Sequence, residues 1–163
     1  MDKIFTNKFS VLKVSLATIF VSVFLLISAI SASAEMISIK GDKVNLRKGP
    51  GTKYSIVWEY GDGYPLTILS KKGNWYEVKD FENDSGWIHK SLTQYSPHVI
   101  VKVNRNSEEK INIRKEPGTK SDIVGKAQYG VVFQTLQRKS GWVNIKHDSG
   151  LTGWIKESLL WGY

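Results

Sequence analysis

The sequence predicts an all-β protein made of two copies of one small antiparallel barrel, preceded by an export signal. Three observations carry this reading. From about residue 43 onward the chain repeats itself at an offset of 67 residues. Within each copy apolar and polar residues alternate with period two, the strand period, and no stretch carries a helical stripe. Clusters of Gly, Pro, Asn and Asp cut these runs into short pieces, which is how small barrels and sandwiches are written.

The first 34 residues stand apart. Lys3, Lys8 and Lys13 form a basic start, Val14 to Ile30 is uncharged and apolar, and Ser31-Ala32-Ser33-Ala34 ends the run before Glu35. Basic, apolar and small-residue regions in that order describe a secretory signal peptide, with cleavage expected after Ala34. An uncleaved anchor is the alternative, because the apolar run sits at the short edge of the roughly 17–25 residues that span a bilayer. The small-residue end favours cleavage. The domains expected are therefore residues 1–34 as signal peptide, 35–95 as the first barrel and 96–163 as the second. The 163-residue chain has no cysteine. Disulfides, a cysteine nucleophile and a cysteine zinc site are thereby excluded, and stability outside the cell must come from packing.

The first copy opens with Val44-Asn45-Leu46-Arg47, a strand with Val44 and Leu46 on one face and Asn45 and Arg47 on the other. Gly49-Pro50-Gly51 turns the chain. A run around Ile56-Val57 follows, then Gly61-Asp62-Gly63, then a run ending at Gly73-Asn74. Trp75-Tyr76-Glu77-Val78 alternates again, with Tyr76 and Val78 inward and Trp75 outward. After Asn83-Asp84-Ser85, the run Gly86-Trp87-Ile88-His89 sends Ile88 inward and Trp87 and His89 outward. Lys90-Ser91-Leu92 is expected as a single helical turn. Thr93 to His98, polar and broken by Pro97, is the junction. The second copy repeats the order as Ile111-Asn112-Ile113-Arg114, Pro117-Gly118-Thr119-Lys120, Trp142-Val143, Gly153-Trp154-Ile155 and Ser158-Leu159.

The spaced order Asn-x-Arg, Pro-Gly, Gly-Trp, written twice, resembles the bacterial SH3-like (SH3b) family. The matching pieces are Val44 to Thr52, Ile56-Val57, Gly73 to Val78 and Ser85 to Ile88, with their copies Ile111 to Thr119, Gly141-Trp142-Val143 and Gly153 to Ile155. The likeness covers nearly all of the chain after residue 35. Its ending, Leu159 to Tyr163, is similar to a two-copy form in exported proteins of Gram-negative, especially alphaproteobacterial, cells. Glu116 departs from the glycine usual in that loop. The resemblance implies two SH3-like barrels of five or six strands in the periplasm. It also implies a binding or targeting role, often toward peptidoglycan and its stem peptides, without catalysis.

Four residues are candidate ligand contacts: Arg47, Trp75, Arg114 and Trp142. A guanidinium beside a groove can pair bidentately with a peptide carboxylate. Equally, each arginine can pin the loop that follows it. An outward indole can stack on a sugar or peptide face, or cover the barrel rim. Trp87 and Trp154 follow glycine, and their indoles are expected to explain that close approach. Trp58 and Tyr60 face Gly125 and Ala127 in the other copy. This asymmetry assigns them, with Trp161, to packing between the barrels, or else to a ligand patch of the first copy. His89, His98 and His147 are scattered, so no metal and no cofactor is expected. Glu77, Asp80, Glu82 and Asp84 read as solvated loop charges, because the second copy has Asn144, His147, Ser149 and Leu151 there.

The whole chain carries a net charge of +8. It is unevenly placed, with a net +1 over residues 35–95 and +5 over 96–163. Basic charge with aromatics suits an anionic envelope polymer, or single-stranded nucleic acid. Export removes nucleic acid from consideration and leaves membrane contact to the signal peptide alone. The partner expected is peptidoglycan or an envelope protein that lays an extended segment on a barrel edge.

Overall fold

In the computed structural model, residues 34–163 are described; the expected signal peptide lies outside them except for Ala34. The alternating runs form strands where the pattern places them. The first barrel comprises β1 (Met36–Ile39), β2 (Val44–Arg47), β3 (Ile56–Tyr60), β4 (Pro65–Lys72), β5 (Trp75–Lys79), β6 (Ser85–His89) and β7 (Thr93–Gln94). The second comprises β8 (His98–Val101), β9 (Ile111–Arg114), β10 (Ile123–Ala127), β11 (Val132–Lys139), β12 (Trp142–Lys146), β13 (Thr152–Lys156) and β14 (Leu160–Gly162). Lys90–Leu92 and Glu157–Leu159 each make one 3-10 turn before the last strand. The described residues are all-β apart from these two turns.

Each barrel is one antiparallel seven-stranded sheet, in the order β3-β2-β6-β5-β4-β1-β7 and, identically, β10-β9-β13-β12-β11-β8-β14. Each sheet wraps its own core. In the first, Ile37, Ile39, Val44, Leu46, Tyr60, Leu66, Val78 and Ile88 are buried, with Tyr76 packed partly against them. In the second the core is built mainly from Val99, Val101, Ile113, Phe133, Val143, Ile145 and Ile155.

Two bulges recur at the same places in both copies. The register of β2 with β3 shifts between Leu46 and Arg47, leaving Val57 without a partner, and β9 with β10 does the same at Val124. The β4–β5 and β11–β12 pairs shift at Leu69 and Leu136. An extra residue bends a strand and increases its twist, which lets so short a sheet curl on itself. The bulged residues are turned outward, and all four are exposed.

The copies differ most between their first two strands. Residues 40–43 link β1 to β2, whereas residues 102–110 link β8 to β9. The longer connection brings Arg105 to Glu82 of the first barrel, at 2.9 Å.

Candidate functional site

Alternation in β2 sends Val44 and Leu46 into the core and leaves Asn45 and Arg47 on the outer face. Trp75 opens β5 directly after the Gly73-Asn74 turn, and the β5–β6 register sets it opposite His89. The indole and imidazole meet edge to face, with ring centroids 5.2 Å apart at 84°. The His89 ring is held from behind, since its Nδ1 accepts the Ser91 N–H and lies 2.8 Å from Ser91 Oγ. Arg47, Trp75, Lys43, Asn45, His89 and Thr52 together line a cavity of about 260 Å³. Two of the four candidate ligand residues, distant in sequence, thus share one groove.

Arg47 also ties down its own loop. Its Nη1 donates to the carbonyl of Thr52 at 3.1 Å and to that of Tyr54 at 2.9 Å. Both bonds use one of the three guanidinium nitrogens. The loop closes over Gly49, where a Cβ would lie 2.6 Å from the Tyr54 ring. Loop pinning and groove lining are therefore compatible roles for one side chain. Chemically, the groove offers a guanidinium, an ammonium, an amide and an aromatic face. That set suits a carboxylate adjoining a flat or apolar surface.

In the second copy Arg114 Nη1 donates to the Ser121 carbonyl at 2.7 Å, pinning the equivalent loop. Trp142 opens β12 as Trp75 opens β5, but its cross-strand neighbour is Lys156 in place of His89.

Residues 40–94 and 107–162 each match the bacterial SH3 domain family. The chain belongs to that family. Among curated proteins, it is 28% identical over 139 residues to a Bacillus subtilis (strain 168) protein that carries the name N-acetylmuramoyl-L-alanine amidase YrvJ. That match covers 82% of this chain and 27% of the relative, so the chain spans about a quarter of that protein's length. Among solved structures, it is similar to an NlpC/P60 family protein from Bacillus cereus ATCC 10987. The identity is 13% and the TM-score 0.37, over 79% of this chain and 56% of the other. NlpC1 from Trichomonas vaginalis is 20% identical with a TM-score of 0.34, over 83% and 49% of the two chains.

Between the two SH3 domains, the expected packing residues separate into three cases. Trp161 lies against Phe81 of the first domain, ring centroids 6.1 Å apart. Trp58 is 61% exposed and borders a crevice that also reaches Phe81, Ile100, Arg105 and Tyr129. Tyr60 requires a correction: it is 2% exposed inside the first core, and its hydroxyl donates to Asp80 Oδ2 at 2.9 Å. A buried carboxylate on the neighbouring loop draws the phenol into the core of the first domain. Asp80 likewise departs from the expectation of a solvated loop charge. Its Oδ1 accepts the N–H groups of Glu82 and Asp84, both at 2.9 Å, and closes their turn. Burial pushes its pKa above the ordinary aspartate value, against the opposing pull of these hydrogen bonds.

The main wedge between the SH3 domains is Phe81, which the sequence reading passed over. Its ring lies 5.6 Å from Tyr129, 6.1 Å from Trp161 and 6.4 Å from Tyr64. Beside it the Tyr129 hydroxyl donates to Glu82. Burial, then that hydrogen bond, push the Tyr129 pKa up to about 12. Gly63 completes the contact, since a Cβ there would meet His98 at 2.7 Å and Val132 at 3.3 Å. The signal was present in the repeat. Phe81 aligns with Asp148, and Tyr129 with Asp62. Aromatics that face charges in the other copy mark surfaces that only one copy buries.

The glycines before Trp87 and Trp154 also have a different cause from the one expected. A Cβ on Gly86 would lie 2.7 Å from Leu46 and 2.8 Å from the Arg47 carbonyl. On Gly153 it would lie 2.6 Å from Ile113 and 2.9 Å from the Arg114 carbonyl. The neighbouring strand, not the indole, demands glycine.

Proposed function

We propose that this is an exported, non-catalytic binding module of the cell envelope, which takes peptidoglycan by its stem peptides in the groove of the first SH3 domain. The observation that carries the reading is that Arg47 and Trp75 share one cavity with Lys43 and His89. A stem-peptide carboxylate pairs with the guanidinium while the adjoining sugar or peptide plane lies on the indole. The amidase name of the Bacillus subtilis relative concerns the same polymer and supports this choice. A purely binding role is supported by Asp80, whose carboxylate is committed to Tyr60 and to its own turn rather than to acid–base work. The compartment is the outside of the cytoplasmic membrane, which is the periplasm in a Gram-negative host.

Co-sedimentation of residues 35–163 with protein-free sacculi tests the reading. Binding that persists at physiological salt and falls about fivefold or more for Trp75→Ala is expected, since loss of a stacked aromatic costs about 1–3 kcal/mol. Binding that vanishes once salt screens the basic surface would leave only charge as its cause.

One observation favours a second reading, an adaptor for an envelope protein. β3 ends the strand order of its sheet, and Ile56, Val57 and Trp58 along it are 54%, 44% and 61% exposed. Such an edge is a template for an added strand. Periplasmic crosslinking that captures one protein, with no sacculus binding, would select it.

A further inference from the structure

The second SH3 domain holds a cavity of about 270 Å³, away from the groove described above. Its origin is legible in the repeat. At the corresponding place in the first domain the phenol of Tyr60 fills the space and donates to Asp80. In the second domain Ala127 stands for Tyr60 and His147 for Asp80. Ala127, Phe133, Ile113 and Leu151 form an apolar lining, and the space that a tyrosine ring occupies in one copy is open in the other.

The rim has changed with the floor. Lys126 replaces Glu59, Ser149 replaces Glu82 and Leu151 replaces Asp84, while Lys110 retains the charge of Lys43. The lining of this cavity therefore contains two lysines and no carboxylate. The polar group has reversed its sense as well. His147 Nδ1 accepts the Ser149 N–H at 3.2 Å, which leaves the ring hydrogen on Nε2. Where Asp80 offers an acceptor to a phenol, His147 offers a donor. Its ring is fixed edge-on to Phe133 at 5.5 Å.

The geometry points to a second binding site here, one that takes a single aromatic side chain presented by an acidic segment of a protein partner. The size admits one side chain, the ring that Tyr60 places at the matching position of the first domain. The occupant's shape is the one the fold already buries in its other copy. Lys110 and Lys126 are the charged residues of the lining, with Glu108 held outside it on Gln128 at 3.4 Å, and the two ammonium groups favour carboxylates flanking the aromatic residue. Peptidoglycan stem peptides supply carboxylates but no aromatic side chain, so this site is separate from the groove of Arg47 and Trp75.

The probe is the blocked tripeptide Asp-Tyr-Asp, titrated into residues 35–163 and followed by amide chemical shifts. Saturable shifts centred on Ala127, Phe133 and Leu151 are expected, with Asp-Ala-Asp binding at least about tenfold more weakly. Equal shifts from both peptides, or none at millimolar concentration, would overturn the proposal. Ala127→Tyr should close the cavity with the chain's own ring and abolish the shifts. Lys110→Glu with Lys126→Glu, both exposed positions, provides an independent arm should Ala127→Tyr fail to fold. The charge-reversed variant should lose binding about tenfold or more, and unchanged affinity there also overturns it. Sacculus binding should survive both variants, which separates failure here from failure of the wall reading.

Discussion

Tyr60 and Asp80 show how one residue pair sets local chemistry. Both are buried, and the phenol satisfies Asp80 Oδ2, the carboxylate oxygen that the backbone of its own turn leaves unpaired. Tyr60→Phe is expected to destabilise the protein by about 1–3 kcal/mol, the cost of an unsatisfied buried acceptor; urea unfolding measures it. The pH dependence has a definite sign. Asp80 has a raised pKa in the fold, so the native state holds its proton more tightly than the unfolded chain does. Wild type should therefore gain stability relative to Asp80→Asn as pH falls through the range just above the ordinary aspartate value. A salt-bridged carboxylate behaves in the opposite way, and paired urea titrations at pH 4 to 7 would tell the two apart. Alternation made Arg47 and Trp75 legible as outward residues of one face. The inward turn of Tyr60 was not legible. It depends on Asp80, twenty residues away, and on the bulge at Val57, which interrupts the strand's alternation.

At the scale of elements, the alternating strands around Val44, Trp75 and Trp87 and the two 3-10 turns follow from local signals, because period-two runs and turn residues act over a few positions. The bulges do not. They set how far a strand bends, and they appear in the sequence only as one extra apolar residue: Val57, Leu69, Val124 or Leu136. The packing of β6 on β2 is tight enough to test. Gly86→Ala places a methyl group 2.8 Å from the Arg47 carbonyl, where backbone rather than a flexible side chain stands in the way. A loss of about 1–3 kcal/mol is expected, as in other overpacked cores. Because Arg47 is carried on the displaced strand, the same variant should weaken sacculus binding. Wild-type binding by a stably folded Gly86→Ala protein would show that the groove tolerates movement of β2.

The two SH3 domains are joined by residues 95–97 and clamped by Phe81. Phe81→Ala should release the clamp, splitting one thermal transition into two and raising the radius of gyration in solution scattering. A single unchanged transition would assign the coupling to the Arg105 and Glu82 pair and to the Gly63 contact instead. The duplication was plain in the sequence from its 67-residue offset, yet the surface joining the copies was not. That surface is built from the residues in which the copies disagree, and a reading that aligns identities passes over them.

The short connection and the aromatic clamp make the protein a caliper. Arg47 with Trp75, and Arg114 with Trp142, are carried on barrels held at one separation rather than on a slack tether. On the wall reading proposed above, a polymer held in the Arg47 groove is presented to the second barrel at high effective concentration where its repeat matches that separation, with little further entropy to lose. One with another repeat engages a single barrel and leaves quickly. Spacing between the barrels, together with the chemistry of the Arg47 groove, would then decide which envelope polymers are held.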